Sequence, residues 1–156
     1  MLDSATLDAL EHADGPLFPV QEPDGRKDLS ELDRQAWVVS YIRKTHPHII
    51  VFATPNAGKR GFKAQAQAKR EGLLAGVFDL TFCWDVRHAR TDGPTICWAE
   101  MKGYSSDGQP GKLTAAQVEW GNAMHQRGHK VACFFSAKSV IEWLRDLGAP
   151  IRGAAA

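Results

Sequence analysis

Some segments of this chain repeat their apolar residues with a helical period, and others alternate apolar and polar residues with a period of two. Glycines, prolines and polar capping residues separate these segments. Helical spacing follows Ser30, where Asp33 three residues on predicts a capped helix start. Pro47 predicts the end of that helix, because the residue before a proline disfavours helical geometry. The other predicted helices are residues 6–12, 62–72, 114–127 and 138–147.

Short runs of β-branched and aromatic residues between the helices predict strands. The predicted strands are residues 48–53, 76–84, 95–102 and 130–136. From residue 30 onward the order is helix, strand, helix, strand, strand, helix, strand, helix. Antiparallel pairing of the middle strands and a helical crossover to the last one predict an α/β fold, with a mixed central sheet flanked by helices.

The chain has 156 residues, enough for one domain with a single core, and it contains no internal repeat. We expect that domain at residues 29–148. An acidic N-terminal arm, rich in proline, glycine and aspartate toward its end, is expected at residues 1–28. Residues 149–156 are expected to form a flexible tail.

The net charge of +1 conceals an asymmetry between the two ends of the chain. Residues 1–33 hold nine acids and two bases, whereas residues 34–156 hold nine acids and seventeen bases. A basic body suits a polyanionic partner, and ordinary solubilising charge explains the same balance equally well.

The cysteines Cys83, Cys97 and Cys133 are odd in number, widely spaced and set in apolar runs. They favour buried thiols in a reducing compartment over a disulfide framework or a zinc site. The acidic N-terminus lacks the basic start of a signal peptide, and no run of about 18 apolar residues occurs. We therefore expect an intracellular protein with no membrane partner.

Charged residues interrupt two of the predicted strands. Trp98, Glu100 and Lys102 lie two apart, so their side chains share one face of a strand, and Asp79 lies in a similar apolar run. Carboxylates on adjacent strands repel each other, and a hard divalent cation is the simplest remedy; the carbonyl of Met101 could add a ligand. Lys102 would then hold the scissile phosphate or position hydroxide. The alternative is an exposed ion pair of Glu100 with Lys102, and an aspartate at a strand end.

Three polar residues elsewhere have both a site interpretation and a structural one. Glu31 could reach the same metal, or could interact only with the dipole of the helix N-terminus. Gln117 follows Thr114 by three, so it could belong to the site or to a capping box. Asn56 could belong to the site or only shape a turn.

A basic segment follows Asn56 and has little apolar face. It predicts either a solvated helix or an element that follows the phosphates of DNA. Its basic residues are Lys59, Arg60, Lys63, Lys69 and Arg70.

Taken in order, several short motifs resemble one known family. They are Ser30-Glu31-x-x-x-Gln35, Pro55-Asn56-Ala57-Gly58-Lys59-Arg60, Lys69-Arg70-Glu71-Gly72, Gly76-Val77-Phe78-Asp79-Leu80, Glu100-Met101-Lys102 and Leu113-Thr114-Ala115-Ala116-Gln117. Together they resemble the VRR-NUC (virus-type replication–repair nuclease) domain of the PD-(D/E)XK nuclease superfamily, over roughly residues 30–147. Phe78 stands where that family usually has the proline of its "PD" motif.

The resemblance implies a restriction-endonuclease-like fold and a metal-dependent DNA endonuclease using Mg²⁺ or Mn²⁺. It implies that Asp79 and Glu100 bind the metal, that Lys102 is catalytic, and that Glu31 and Gln117 are accessory. Short stand-alone relatives resemble homodimeric Holliday-junction resolvases, which implies branched DNA as substrate and a homodimer. They occur in the cytoplasm of bacteria or of phage-infected host cells. The alternatives are a non-catalytic nucleic-acid-binding module and a sequence-specific restriction-type nuclease.

Overall fold

The computed structural model describes residues 15–55 and 61–153. The helix predicted at residues 6–12 and the turn at residues 56–60 lie outside these ranges. Among the helices that are described, none is long and apolar enough to cross a membrane.

The described elements follow the predicted order. They are α1 (Glu31–Thr45), β1 (Ile49–Ala53), α2 (Phe62–Arg70), β2 (Leu80–Trp84), β3 (Ile96–Met101), α3 (Ala115–Gln126), β4 (Lys130–Phe134) and α4 (Ala137–Asp146). The strands form one sheet in the order β1-β2-β3-β4. The pairs β1–β2 and β2–β3 are antiparallel, and β3–β4 is parallel. The predicted mixed sheet is therefore confirmed.

Polar caps position the two helices that bring side chains to the sheet end. The hydroxyl of Ser30 accepts a hydrogen bond from the Asp33 amide at the start of α1, which ends at Thr45 before Pro47. Thr114 and Gln117 form a complete capping box at the start of α3. Such caps satisfy backbone amides that have no partner within the helix, and so fix where each helix begins.

The sheet buries a different cluster on each face, because successive strand residues point to opposite sides. One face packs against α1 and α4, with Val38, Ile42 and Leu144 fully buried against Phe82 and Ala99. On the other face, Phe78 lies at the centre of a smaller cluster. The members of that cluster are Phe18, Phe78, Val131 and Cys133, with Trp98, Leu113, Trp120 and Met124 packed around them.

The segment before α1 packs against the outer edge of β4. The Cys133 amide donates to the Pro19 carbonyl and the Gln21 amide donates to the Cys133 carbonyl, both at 2.9 Å. At the other end of the chain, Ala149 and Ile151 are buried with the larger cluster. The packed part of the chain therefore extends beyond residues 29–148 at both ends.

A buried arginine ties this segment to the first turn of α1. The Arg34 guanidinium donates to Asp24 at 2.6 Å, to the Phe135 carbonyl at 2.7 Å, to the Leu29 carbonyl at 3.1 Å and to the Arg26 carbonyl. Arg34 is 3% exposed, so this hydrogen bonding is what makes the burial of its charge tolerable. The helix start that carries Glu31 is thereby held against the end of β4.

Phe18→Ala is expected to lower the free energy of unfolding by about 3–5 kcal/mol, the usual cost of emptying a buried aromatic site. Phe18 is 4% exposed, and its ring meets that of Phe78 edge-on with centroids 5.3 Å apart. Leu17→Ala is the matched control, because Leu17 is 48% exposed and should cost less than about 1 kcal/mol. Urea unfolding of the two variants tests this, and equal costs would contradict the described packing.

Candidate metal and nucleic-acid site

The antiparallel register of β2 and β3 places two carboxylates opposite each other. Leu80 pairs with Ala99, so Asp79, one residue before β2, stands opposite Glu100. The Asp79 amide donates to the Glu100 carboxylate at 3.1 Å, and the Met101 amide donates to the Asp79 carboxylate at 3.2 Å. The carbonyl of a strand residue leaves on the same side as its amide, so the Met101 carbonyl lies on the edge of β3 that faces β2.

A third carboxylate reaches this point from the first turn of α1. One carboxylate oxygen each from Glu31, Asp79 and Glu100 lie within 4.8 Å of one another. Gly103 permits the approach, because a Cβ there would lie 2.5 Å from the Glu31 amide nitrogen. Three acidic oxygen donors at this spacing suit a hard divalent cation such as Mg²⁺ or Mn²⁺.

Lys102 and Gln117 lie beside the carboxylates and contact each other. The Lys102 ammonium is 3.0 Å from Glu100 and donates to the Gln117 amide oxygen at 3.2 Å. The same amide oxygen accepts from the Thr114 backbone at 2.9 Å, and the amide nitrogen of Gln117 donates to Glu100 at 2.5 Å. Gln117 therefore caps α3 and orients the site at once, although the sequence presented these roles as alternatives.

Burial raises the pKa of both strand carboxyls. Burial, together with the nearby charge of Asp79, raises the pKa of Glu100 to about 7. Burial also raises the pKa of Asp79, against opposing hydrogen bonding from Met101 and the charge of Lys102. Burial disfavours the ammonium of Lys102, yet the Glu100 carboxylate beside it raises the pKa of Lys102 overall. The site concentrates negative charge that a cation would neutralise.

In the presence of a chelator, the protein is expected to lose stability as the pH rises from about 4.5 to about 7. Glu100 has a folded-state pKa of about 7 against an ordinary value of 4.5, so the folded state binds the extra proton in this window. The loss should reach about 3 kcal/mol above pH 7. Glu100→Gln should remove most of this slope, and urea unfolding of both proteins from pH 4.5 to 8 measures the difference between their profiles. Parallel profiles would contradict the assignment.

The strand that follows Asp79 is shorter than predicted. It begins at Leu80 instead of Gly76, because Gly76 adopts a left-handed backbone conformation with φ of +83° and turns the chain. A Cβ at Gly76 would lie 2.1 Å from the Ala116 carbonyl oxygen, so this turn packs directly on the first turn of α3. Asp79 thus precedes the ladder, beside a cleft of about 240 Å³ that Gly76 and Gln117 also line.

The residues predicted to contact DNA are only partly described. Lys63, Lys69 and Arg70 lie on α2 and are exposed, and the single buried residue of that helix is Ala68. Lys63 and Arg70 line one open cleft together with Phe62 and Gln67. Asn56, Lys59 and Arg60 fall outside the described residues.

Several residues that shape the site carry no clear sequence signal. Arg34 could have been read as an ordinary exposed charge on a helix, although it is buried. Gly103 matters through its closeness to Glu31, 72 positions earlier in the chain, which no local pattern reveals. Gly76 carries a weak signal, since an isolated glycine within a predicted strand suggests a close backbone approach.

The mixed four-stranded sheet, with helices on both faces and carboxylates at the paired strand ends, defines a restriction-endonuclease-like α/β fold. Among solved structures, a protein described as "VRR_NUC domain protein" is similar, with a TM-score of 0.53 and 20% sequence identity. The match covers 76% of this chain and 88% of that chain. The predicted VRR-NUC resemblance is therefore confirmed for the fold. No protein-family model and no curated protein matches the chain.

Proposed function

We propose that this chain is a divalent-metal-dependent DNA endonuclease. The observation that carries the proposal is the convergence of Glu31, Asp79 and Glu100 within 4.8 Å, with the Lys102 ammonium 3.0 Å from Glu100. Burying like charges together is costly, and an oxygen-liganded cation is the ordinary compensation. The similar solved structure is described as a "VRR_NUC domain protein", and its fold agrees with this chemistry.

The proposed ligands of Mg²⁺ or Mn²⁺ are the carboxylates of Asp79, Glu100 and Glu31 with the carbonyl of Met101. Such an ion, when bound, lowers the pKa of bound water and neutralises charge on a phosphate. Lys102 would hold the scissile phosphate or the attacking hydroxide. Gln117 would keep Lys102 and Glu100 in place through its two hydrogen bonds.

The proposed DNA contacts extend along α2. Its exposed Lys63, Lys69 and Arg70 would pair with phosphates, as would Asn56, Lys59 and Arg60 before it. These contacts would set affinity and salt dependence, and they would carry little sequence preference.

Branched DNA, of the kind a Holliday-junction resolvase cuts, is the substrate we propose, with a homodimer as the active form. Two symmetric nicks need two sites related by a two-fold axis. On the sheet, Ile50, Phe52 and Ile96 are 62%, 47% and 38% exposed, and this apolar surface supports the proposed dimer. Ile50 and Ile96 both pair with Cys83, so these side chains share one face. The proposed compartment is the cytoplasm of a bacterium or phage-infected host.

A gel cleavage assay tests the proposal. The full chain is incubated with a four-way junction and with linear duplex of the same sequence, in Mg²⁺, Mn²⁺, Ca²⁺ or chelator. Cleavage of the junction in Mg²⁺ or Mn²⁺ alone supports the proposal. Binding without cleavage under every condition would indicate a non-catalytic binding module, and cleavage of linear duplex at one sequence would indicate a restriction-type nuclease.

A further inference from the structure

Another cleft, of about 350 Å³, opens on the protein beside Lys102. The segment at residues 16–23 forms one wall, and the loop at residues 110–113 forms another. Val118 of α3 and the end of β4 complete the lining. Lys102 belongs both to this cleft and to the metal site, since its ammonium lies 3.0 Å from Glu100. An occupant of the cleft would therefore lie next to the reacting phosphate.

The walls of the cleft are largely apolar. They include Pro16, Val20, Pro110, Leu113 and Val118, from three separate parts of the chain. Flat aromatic rings gain most from such a surface, because both of their faces are apolar. The apolar lining suits a nucleobase better than a sugar or a phosphate.

The charge at the cleft favours the phosphate backbone of the DNA strand that would carry such a base. The cations of the lining are Lys112 and Lys102, which is ion-paired with Glu100, and the acid of the lining is Glu22. Phosphates on either side of a bound nucleotide would lie within the field of these lysines.

The amide group in the lining is already engaged by the protein. The side-chain oxygen of Gln21 accepts from the backbone amides of Phe135 and Ser136, both at 2.9 Å, and its nitrogen donates to the Ser139 hydroxyl at 2.9 Å. Gln21 therefore holds the wall in place and does not read base edges. Because Gln21 makes no hydrogen bonds to base edges, the cleft would accept any of the four bases.

We propose that this cleft receives one unpaired nucleobase of the strand whose phosphate lies at the metal site. The proposal rests on the proposed endonuclease function and narrows its substrate. A base within a duplex is paired and stacked, so only an unpaired or extruded base can enter. The enzyme would select DNA with at least one unpaired nucleotide beside the cleaved bond, and a branch point supplies such nucleotides.

A fluorescence experiment tests the cleft directly. A duplex carrying one unpaired 2-aminopurine, moved position by position past the site of cleavage or binding, is mixed with the full chain in Ca²⁺. Val20→Trp should fill the cleft, and Leu17→Trp is the matched control, because both residues are exposed, at 41% and 48%, on the same segment. Wild type and Leu17→Trp should give a fluorescence change at one position. Val20→Trp should lose it and bind the unpaired substrate about tenfold more weakly.

A second variant keeps the test decisive if Val20→Trp does not fold. Lys112→Glu reverses an exposed charge of the cleft and should weaken the same binding about tenfold, whereas Lys44→Glu on α1, outside the cleft, should have less effect. A signal independent of position, or equal in Val20→Trp and Leu17→Trp, overturns the proposal. Because the fluorescence needs no cleavage, this failure is distinct from that of the endonuclease proposal, which fails if the wild type cuts nothing.

Discussion

Asp79→Asn is expected to reduce metal-dependent DNA cleavage by about 10³-fold or more, because it removes one proposed metal ligand. The asparagine can still accept the hydrogen bond that the Met101 amide donates to Asp79. It also removes the charge that, after burial, contributes most to raising the pKa of Glu100. The variant should therefore be at least as stable as the wild type in chelator at pH 8.

Measuring both cleavage and stability shows whether Asp79 acts as a metal ligand or only as a structural residue. Cleavage is measured by gel with Mg²⁺, and stability by thermal unfolding with and without Mn²⁺. The wild type should be stabilised by Mn²⁺, whereas Asp79→Asn should lose most of that stabilisation. Glu119→Gln is the control, since it removes an exposed carboxylate of α3 two residues beyond Gln117. Wild-type cleavage by Asp79→Asn would overturn the proposed metal site.

Gly76→Ala is expected to destabilise the protein by about 3 kcal/mol or more, the upper range for forcing an atom into packed structure. Its Cβ would lie 2.1 Å from the Ala116 carbonyl oxygen, and backbone at a helix start cannot move aside cheaply. The first turn of α3 would shift and carry Gln117 with it. Cleavage should fall together with stability.

Comparison with Gly72→Ala separates the steric part of this effect from the conformational part. Gly72 and Gly76 have similar left-handed φ values, +94° and +83°, so alanine is strained at both. Around Gly72, however, no described atom lies within 4 Å of the added Cβ. Gly72→Ala should cost about 1 kcal/mol, the conformational part alone. Equal costs in urea unfolding would contradict the described contact between Gly76 and α3.

The sequence predicts most of the architecture, because its local signals agree with one another. Capping residues at Ser30 and Thr114 mark helix starts, and β-branched runs mark the strands. The period-two pattern of Trp98, Glu100 and Lys102 places the acid and the amine on one face of β3. These signals act over a few residues, and that is why they can be read without coordinates.

The remaining features depend on contacts between distant parts of the chain. Glu31 reaches Asp79 and Glu100 only because Gly103 lets α1 approach the end of β3. The packing of Phe18 on Phe78 joins a proline-rich segment to the core, and that segment has no periodicity to predict it. The left-handed turn at Gly76, which shortens β2, is likewise set by its contact with α3.

The attachment of residues 19–21 along β4 has a consequence for how the protein behaves when shortened. Among the described residues, that segment occupies the outer edge of β4, leaving β1 as the side where a further strand could join the sheet. A chain shortened to begin at residue 29 would expose the backbone hydrogen-bonding groups at the outer edge of β4. It would also leave a cavity where Phe18 packs. Uncovered strand edges pair with other chains, so light scattering should detect polymers of the shortened protein where the full chain stays dispersed.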